Sequence, residues 1–121
     1  MSASPLLTPY EFTYLDPRKS FSRTLKIIGR VKQIVRSEDG TSVILEDLDI
    51  PDKIIEVVIY RELYDKTNIH SIAEGDFVIT YGVGRWWRDK KYLVAKWIRK
   101  IPEAGLKYYL KRKGQKPSSS T

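Results

Sequence analysis

From Arg23 to Arg36 apolar and polar positions alternate, with Leu25, Ile27, Gly29 and Val31 set between Lys26, Ile28, Arg30 and Lys32. A period of two is that of a half-buried strand, so this stretch predicts a long first strand. Gly29 in its middle predicts a bend or bulge, which a strand needs if it serves two sheets of a small barrel. After a turn at Ser37-Glu38-Asp39-Gly40, a second strand sets Val43, Leu45 and Asp47 against Ile44 and Glu46. A reversal follows at Leu48-Asp49-Ile50-Pro51-Asp52. The third strand, Ile54 to Tyr60, puts Ile55, Val57 and Ile59 on one side and Glu56, Val58 and Tyr60 on the other. Arg61 to Ile72 lacks alternation and proline, and reads as a short helix or helical turn. Ala73-Glu74-Gly75-Asp76 then turns the chain into a fourth strand, Phe77 to Val83, and a fifth runs from Lys91 to Ile101. Both are rich in the β-branched and aromatic residues that suit strands.

Five strands with a helix between the third and fourth predict an all-β chain of small α content, a five-stranded Greek-key barrel in the order of the OB-fold. The landmarks Leu25-Lys26-Ile27-Ile28-Gly29-Arg30-Val31, Val43-Ile44-Leu45-Glu46-Asp47, Gly75-Asp76-Phe77-Val78 and Tyr92 to Ile101 follow one another in a familiar order. Over residues 20 to 102 the chain resembles OB-fold single-strand-binding proteins, most of all the middle subunit of replication protein A, its archaeal relatives and the telomere-capping OB subunits. That resemblance implies binding of single-stranded DNA, and it implies a helix after the last strand that pairs with another OB subunit. Here Glu103 to Lys113 stands in that place, with Leu106, Tyr109 and Leu110 at helical spacing as the partner-binding residues. The chain departs from its relatives after Asp47, where they carry a glycine-containing turn and this one runs Leu48-Asp49-Ile50-Pro51.

The expected organisation is an extended arm at 1–20, the barrel at 21–102, the C-terminal helix at 103–113 and a polar, disordered tail at 114–121. Pro5, Pro9 and Pro17 favour an extended arm, on which Tyr10, Phe12 and Tyr14 would all point one way, toward the sheet or a partner. At 121 residues one domain is expected. No apolar run is long enough to cross a membrane, and the N-terminus lacks the pattern of a signal peptide, so an intracellular setting is expected.

The formal net charge of +7 favours an anionic partner, and its distribution sharpens the point. Seven basic residues and no acid lie from Arg18 to Arg36, and twelve basic residues face two acids from Arg85 to Lys116. Between them, Ser37 to Asp76 holds eleven acids against three bases. The two basic blocks predict one positive face.

The stretch from Gly82 to Lys91 reads as a hairpin tip, in which Gly82 and Gly84 bend the backbone and Asp89-Lys90 makes the turn. Trp86 and Trp87 are interleaved there with Arg85, Arg88, Lys90 and Lys91, the residue types that single strands need for stacking and phosphate contact. On a regular strand the adjacent indoles would face opposite ways; in a loop both would reach a ligand. Arg30, Lys32 and Arg36 are further phosphate candidates, and Tyr60 a further stacking ring. Against these stands the outer side of the second and third strands, where Ile28, Ile44 and Val58 share the face with Glu46 and Glu56; a partly apolar, partly acidic face suggests protein contact.

Glu46, Asp47, Asp49 and Asp52 match no calcium-loop spacing. A single histidine without cysteines leaves no zinc site or nucleophile pair. No cofactor and no metal are therefore expected. Two readings remain open: a non-catalytic single-strand-binding module of replication, repair or end protection, DNA favoured over RNA, and a protein-interaction subunit of a larger DNA-processing complex. An OB-fold tRNA-binding appendage is a third.

Overall fold

Thr24–Arg36 is a single strand because inward Leu25, Ile27 and Val31 keep the period of two along it. The computed structural model describes residues 6–16, 23–63, 69–102, 104–107 and 111. Within these the elements run β1 (Leu6–Leu7), α1 (Pro9–Thr13), β2 (Thr24–Arg36), β3 (Gly40–Glu46), β4 (Ile54–Tyr60), two 3-10 turns (Arg61–Leu63 and Ile69–Ser71), β5 (Phe77–Trp87) and β6 (Lys90–Lys100). Residues 104–107 are helical. No helix among the described residues is long and apolar enough to cross a membrane.

The five expected strands are β2 to β6, in the order β2-β3-β4-β6-β5, and β5 returns to pair with β2 and close the barrel. β4 and β6 run parallel, as do β1 and β2; the other neighbours are antiparallel. Closure leaves no long open edge. β2 serves both halves: Thr24 to Arg30 pair with β5 and Arg30 to Arg36 with β3. The bulge lies between Val31 and Gln33, just past this change of partner, and not at Gly29 as expected. The Val31 N–H donates to the Asp76 carbonyl and the Val31 carbonyl accepts from the Gly75 N–H, both at 2.8 Å, so the kink is pinned by the turn before β5. Gly29 serves close approach instead. A Cβ there would stand 3.0 Å from the Glu46 carbonyl oxygen and 3.3 Å from Pro9 Cγ.

One end of the barrel is closed by Ile69 and Ile72, from and beside the second 3-10 turn. The single helix expected over 61–72 appears as the two 3-10 turns, with 64–68 outside the described residues. The other end, where β3 finishes and the β5–β6 hairpin turns, is closed by α1. There the expected extended arm is replaced by a helix. Thr8 and Glu11 form a reciprocal capping box, Pro9 occupies the first turn, and the Tyr10 N–H donates to Asp47 Oδ1 at 2.9 Å. Helical spacing separates the three rings: Phe12 is fully buried in the core, while Tyr10 and Tyr14 share the exposed side. The described part of the arm therefore plugs the barrel end and does not lie across the outer face of β3, β4 and β6.

A second, smaller cluster lies outside the barrel. Ile28 of β2, opposite Ile79 of β5, is covered by Ile101 and by Leu106 of the helical residues 104–107, with Leu6, Leu48, Phe77 and Trp97 packed around them. Ile28, expected on the exposed face, is thus fully buried.

Candidate nucleic-acid interface

The hairpin is tighter than its glycines suggest. Trp87 pairs with Lys90, Trp86 with Lys91 and Arg85 with Tyr92, so the turn is only Arg88–Asp89. Both turn residues have positive φ, 50° and 63°, the signature of the type I′ turn that matches strand twist. Gly82 and Gly84 lie inside β5; a Cβ on Gly82 would overlap the Val94 carbonyl oxygen. Because Trp86 and Trp87 are strand residues, they point to opposite sides. Trp87 stands on the outer face with Lys90, and the Arg88 guanidinium lies 4.4 Å from its ring centroid. Trp86 stands on the side of Lys91, toward α1. The rings are 61% and 52% exposed respectively, so both indoles remain open to a ligand.

Strand register gathers the outer face into rows. Val83, Val94, Val58, Ser42 and Val35 are successive partners across β5, β6, β4, β3 and β2. One step toward the hairpin the row is Arg85, Tyr92, Glu56, Ile44 and Gln33. Tyr60 is exposed at the far end of β4. The strand acids of this face, Glu46 and Glu56, are each matched by a cation. Glu46 binds Arg30 at 2.6 Å; Glu56 binds Lys90 at 2.5 Å and accepts from the Ser42 hydroxyl at 2.7 Å. Burial pushes the Glu56 carboxyl up, but Lys90 and Ser42 together outweigh it and hold the carboxyl below its ordinary value. Arg85 and Arg88 are exposed and have no ion pair among the described residues. A cleft of about 470 Å³ opens beside the hairpin between Ile44, Ile54, Glu56 and Lys90 on the sheet and Thr13 on α1.

No protein-family model and no curated protein sequence matches this chain. In three dimensions it is similar to a chain of the S. pombe Stn1–Ten1 complex, with a TM-score of 0.65 and 17% identity over 75% of this chain and 67% of that one. It is also similar to a chain of a replication protein A heterotrimer bound to ssDNA, with a TM-score of 0.60 and 15% identity over 74% of this chain and 66% of that one. The fold is the OB-fold. The same barrel is similar to part of asparaginyl-tRNA synthetase from Pyrococcus horikoshii, with a TM-score of 0.61 and 13% identity over 78% of this chain and 22% of that one. At these identities the likeness is one of architecture.

On this OB-fold the sequence candidates are dispersed. Trp87, Arg85, Arg88 and Lys90 share the hairpin end of the outer face. Lys91 is drawn away: its ammonium donates to the Thr13 and Leu15 carbonyls, at 2.6 and 2.7 Å. Arg30 is held by Glu46, and Lys32 is the bulged residue of β2. Beyond that bulge the alternation is reset, so Val35 and not Arg36 joins the outer row; Arg36 and Tyr60 sit at the opposite end from the hairpin. Leu106 is buried against its own chain, while Tyr109 and Leu110 lie outside the described residues. Asp47 spends its carboxylate on the N–H groups of Tyr10, Asp49 and Ile50. Tyr92, Val83, Val94 and Val35 were not among the candidates. The register of the two-residue turn brings Tyr92, Val83 and Val94 together on the face, and the bulge at Lys32 adds Val35.

Proposed function

We propose that this OB-fold is a non-catalytic module that binds single-stranded nucleic acid, DNA in preference to RNA, across the outer face of β3, β4 and β6 toward the tryptophan hairpin. The observation that carries the reading is Trp87 with Arg88 over its ring, an exposed indole and guanidinium at the edge of the apolar outer face. Bases stack on such rings while cations hold the phosphates. Trp87 stacks a base, Arg85 and Arg88 bind phosphate, and Tyr60 receives a base at the far end. Arg30 and Lys90 turn to phosphate when their carboxylates release them, and Lys32 and Arg36 add to the positive rim. Trp86 meets a strand that passes over the barrel end. The similarity to a replication protein A chain in an ssDNA complex supports this reading, and the setting is replication, repair or end protection inside the cell.

Tryptophan-fluorescence titration with a short oligo-dT, at low and moderate salt and beside a duplex of equal length, tests it. Quenching by the single strand, weakened by salt with a slope of about −0.7 for each phosphate neutralised, is expected. No change at low salt overturns it.

A second reading, a protein-interaction subunit with little nucleic-acid affinity, is favoured by the row of Val35, Val58, Val83 and Val94, which no charge interrupts. Its partner is a second OB-fold subunit. With Leu106 committed to the chain's own cluster, Tyr109 and Leu110 are the proposed contacts.

A further inference from the structure

At the barrel end closed by α1 the chain exposes an apolar surface of its own. The rings of Tyr10 and Tyr14 lie 4.9 Å apart, and Tyr14 is 65% exposed. Ile50 of the β3–β4 loop and Ile54 of β4 are exposed beside them. Asp47, at the start of the loop, accepts from the Tyr10 N–H at one end of α1, and Lys91 of β6 binds the Thr13 and Leu15 carbonyls at the other. The surface is thus preformed, which lowers the ordering cost for whatever covers it.

Acidic side chains outnumber basic ones around it, although the whole chain carries a formal net charge of +7. Glu11, Asp16, Asp49 and Asp52 are exposed around it, and the carboxylates of Asp49 and Asp52 have no ion pair among the described residues. Lys53 shows what the surface accepts: its ammonium lies 5.3 Å from the Tyr14 ring centroid and 6.0 Å from that of Tyr10. Phosphate is repelled here, and cationic side chains are attracted.

The chain carries a complementary segment. Residues 107–116 hold Lys107, Lys111, Arg112, Lys113 and Lys116 without an acid. They depart from a nearby point, because Leu106 packs in the cluster that also holds Leu6, two residues before Thr8 at the start of α1, and Leu48, the first residue of the loop reversal. The five residues from Arg112 to Lys116 reach at most about 17–18 Å beyond Lys111 when extended. A domain of this size has a radius of gyration of about 14 Å.

We propose that the basic C-terminal segment, residues 111–116, folds back onto the tyrosine and aspartate surface of α1 and the β3–β4 loop in the same chain. Tethering supplies an effective concentration in the mM range, so exposed ion pairs that are weak singly suffice together. Docked, the segment has its cations neutralised and withheld from phosphate.

The chain has no cysteine, so Ser119→Cys carries a single nitroxide label. Paramagnetic broadening of the Tyr10, Tyr14, Ile50 and Asp52 amides is expected at low salt, independent of protein concentration. It disappears in ~1 M salt, where the Debye length is about 3 Å. It also disappears in the Asp49→Lys/Asp52→Lys variant and returns when Arg112→Glu and Lys113→Glu are added. Asp49 and Asp52 are exposed, and unlabelled amide spectra verify that the fold is retained in each variant. Broadening spread evenly over the surface, or insensitive to the charge reversal, overturns the proposal. Broadening of the patch that grows with protein concentration overturns it too, by assigning the contact to a second copy.

Discussion

The Lys91 ammonium donates to the Thr13 carbonyl oxygen at 2.6 Å and so ties the β5–β6 hairpin to the C-terminal end of α1. With the Leu15 carbonyl as a second acceptor, a cation meets the negative end of a helix dipole. Replacing Lys91 by Met leaves these carbonyls without their donor. A loss of about 1.5–3 kcal/mol is expected in chemical denaturation. Hydrogen exchange in α1 should accelerate before that of the barrel strands, and uniform acceleration would show that α1 is not a separate unit.

Phe12 is the plug itself. Phe12→Ala should cost about 3–5 kcal/mol, the range for a fully buried aromatic. A change below 1 kcal/mol in the denaturation midpoint analysis would mean that α1 contributes nothing to closing the barrel.

The two tryptophans should behave differently with a short oligo-dT. Trp87 shares the outer face with Arg85, so Trp87→Ala is expected to remove about 1–3 kcal/mol of binding. Trp86→Ala should cost less with a short oligonucleotide and more with one long enough to pass the barrel end. Equal losses at every length contradict the opposed orientation of the rings.

Arg88 adopts φ 50° without being glycine, a conformation that costs an ordinary L-residue energy. Replacing Arg88-Asp89 by Asn-Gly, the preferred type I′ pair, should raise thermal stability and weaken single-strand binding together. Higher stability with unchanged binding would remove Arg88 from the site.

Glu56 has its folded-state pKa lowered from 4.5, so its ion pair contributes stability above that value and loses it as pH falls through the folded pKa. Acid unfolding should therefore be steeper below about pH 4.5 in the native chain than in Glu56→Gln. At neutral pH the same variant frees Lys90 and removes a negative charge from the face, so its affinity for oligo-dT should rise at low salt. A fall in affinity would show that the Glu56–Lys90 pair positions Lys90 for its task.

The barrel was legible because its signal is local. Val43, Leu45, Val57 and Ile59 alternate within their own strands, and a period of two already states which side is buried. The hairpin was legible as a place and misread as a shape. Glycine marks turns often enough to suggest one at Gly82 and Gly84, yet Gly82 is needed for its closeness to Val94, and strand twist imposes the turn on Arg88–Asp89. At the N-terminus, Thr8-Pro9-Tyr10-Glu11 carries a helix-start pattern that three prolines obscured. What holds that helix is Asp47, 37 residues away, and Phe12 in the barrel end.

The strands, the segregation of charge and the coincidence of indoles with cations can be read from the chain alone, because each is a property of neighbouring residues. Which cations the chain itself engages is a property of the closed barrel. Arg30, Lys90 and Lys91 look alike in the chain, but each takes a partner from a distant element: Glu46, Glu56 and the end of α1. A charge is attracted to whatever opposite charge or dipole the fold brings within a few ångströms, and barrel closure sets that distance.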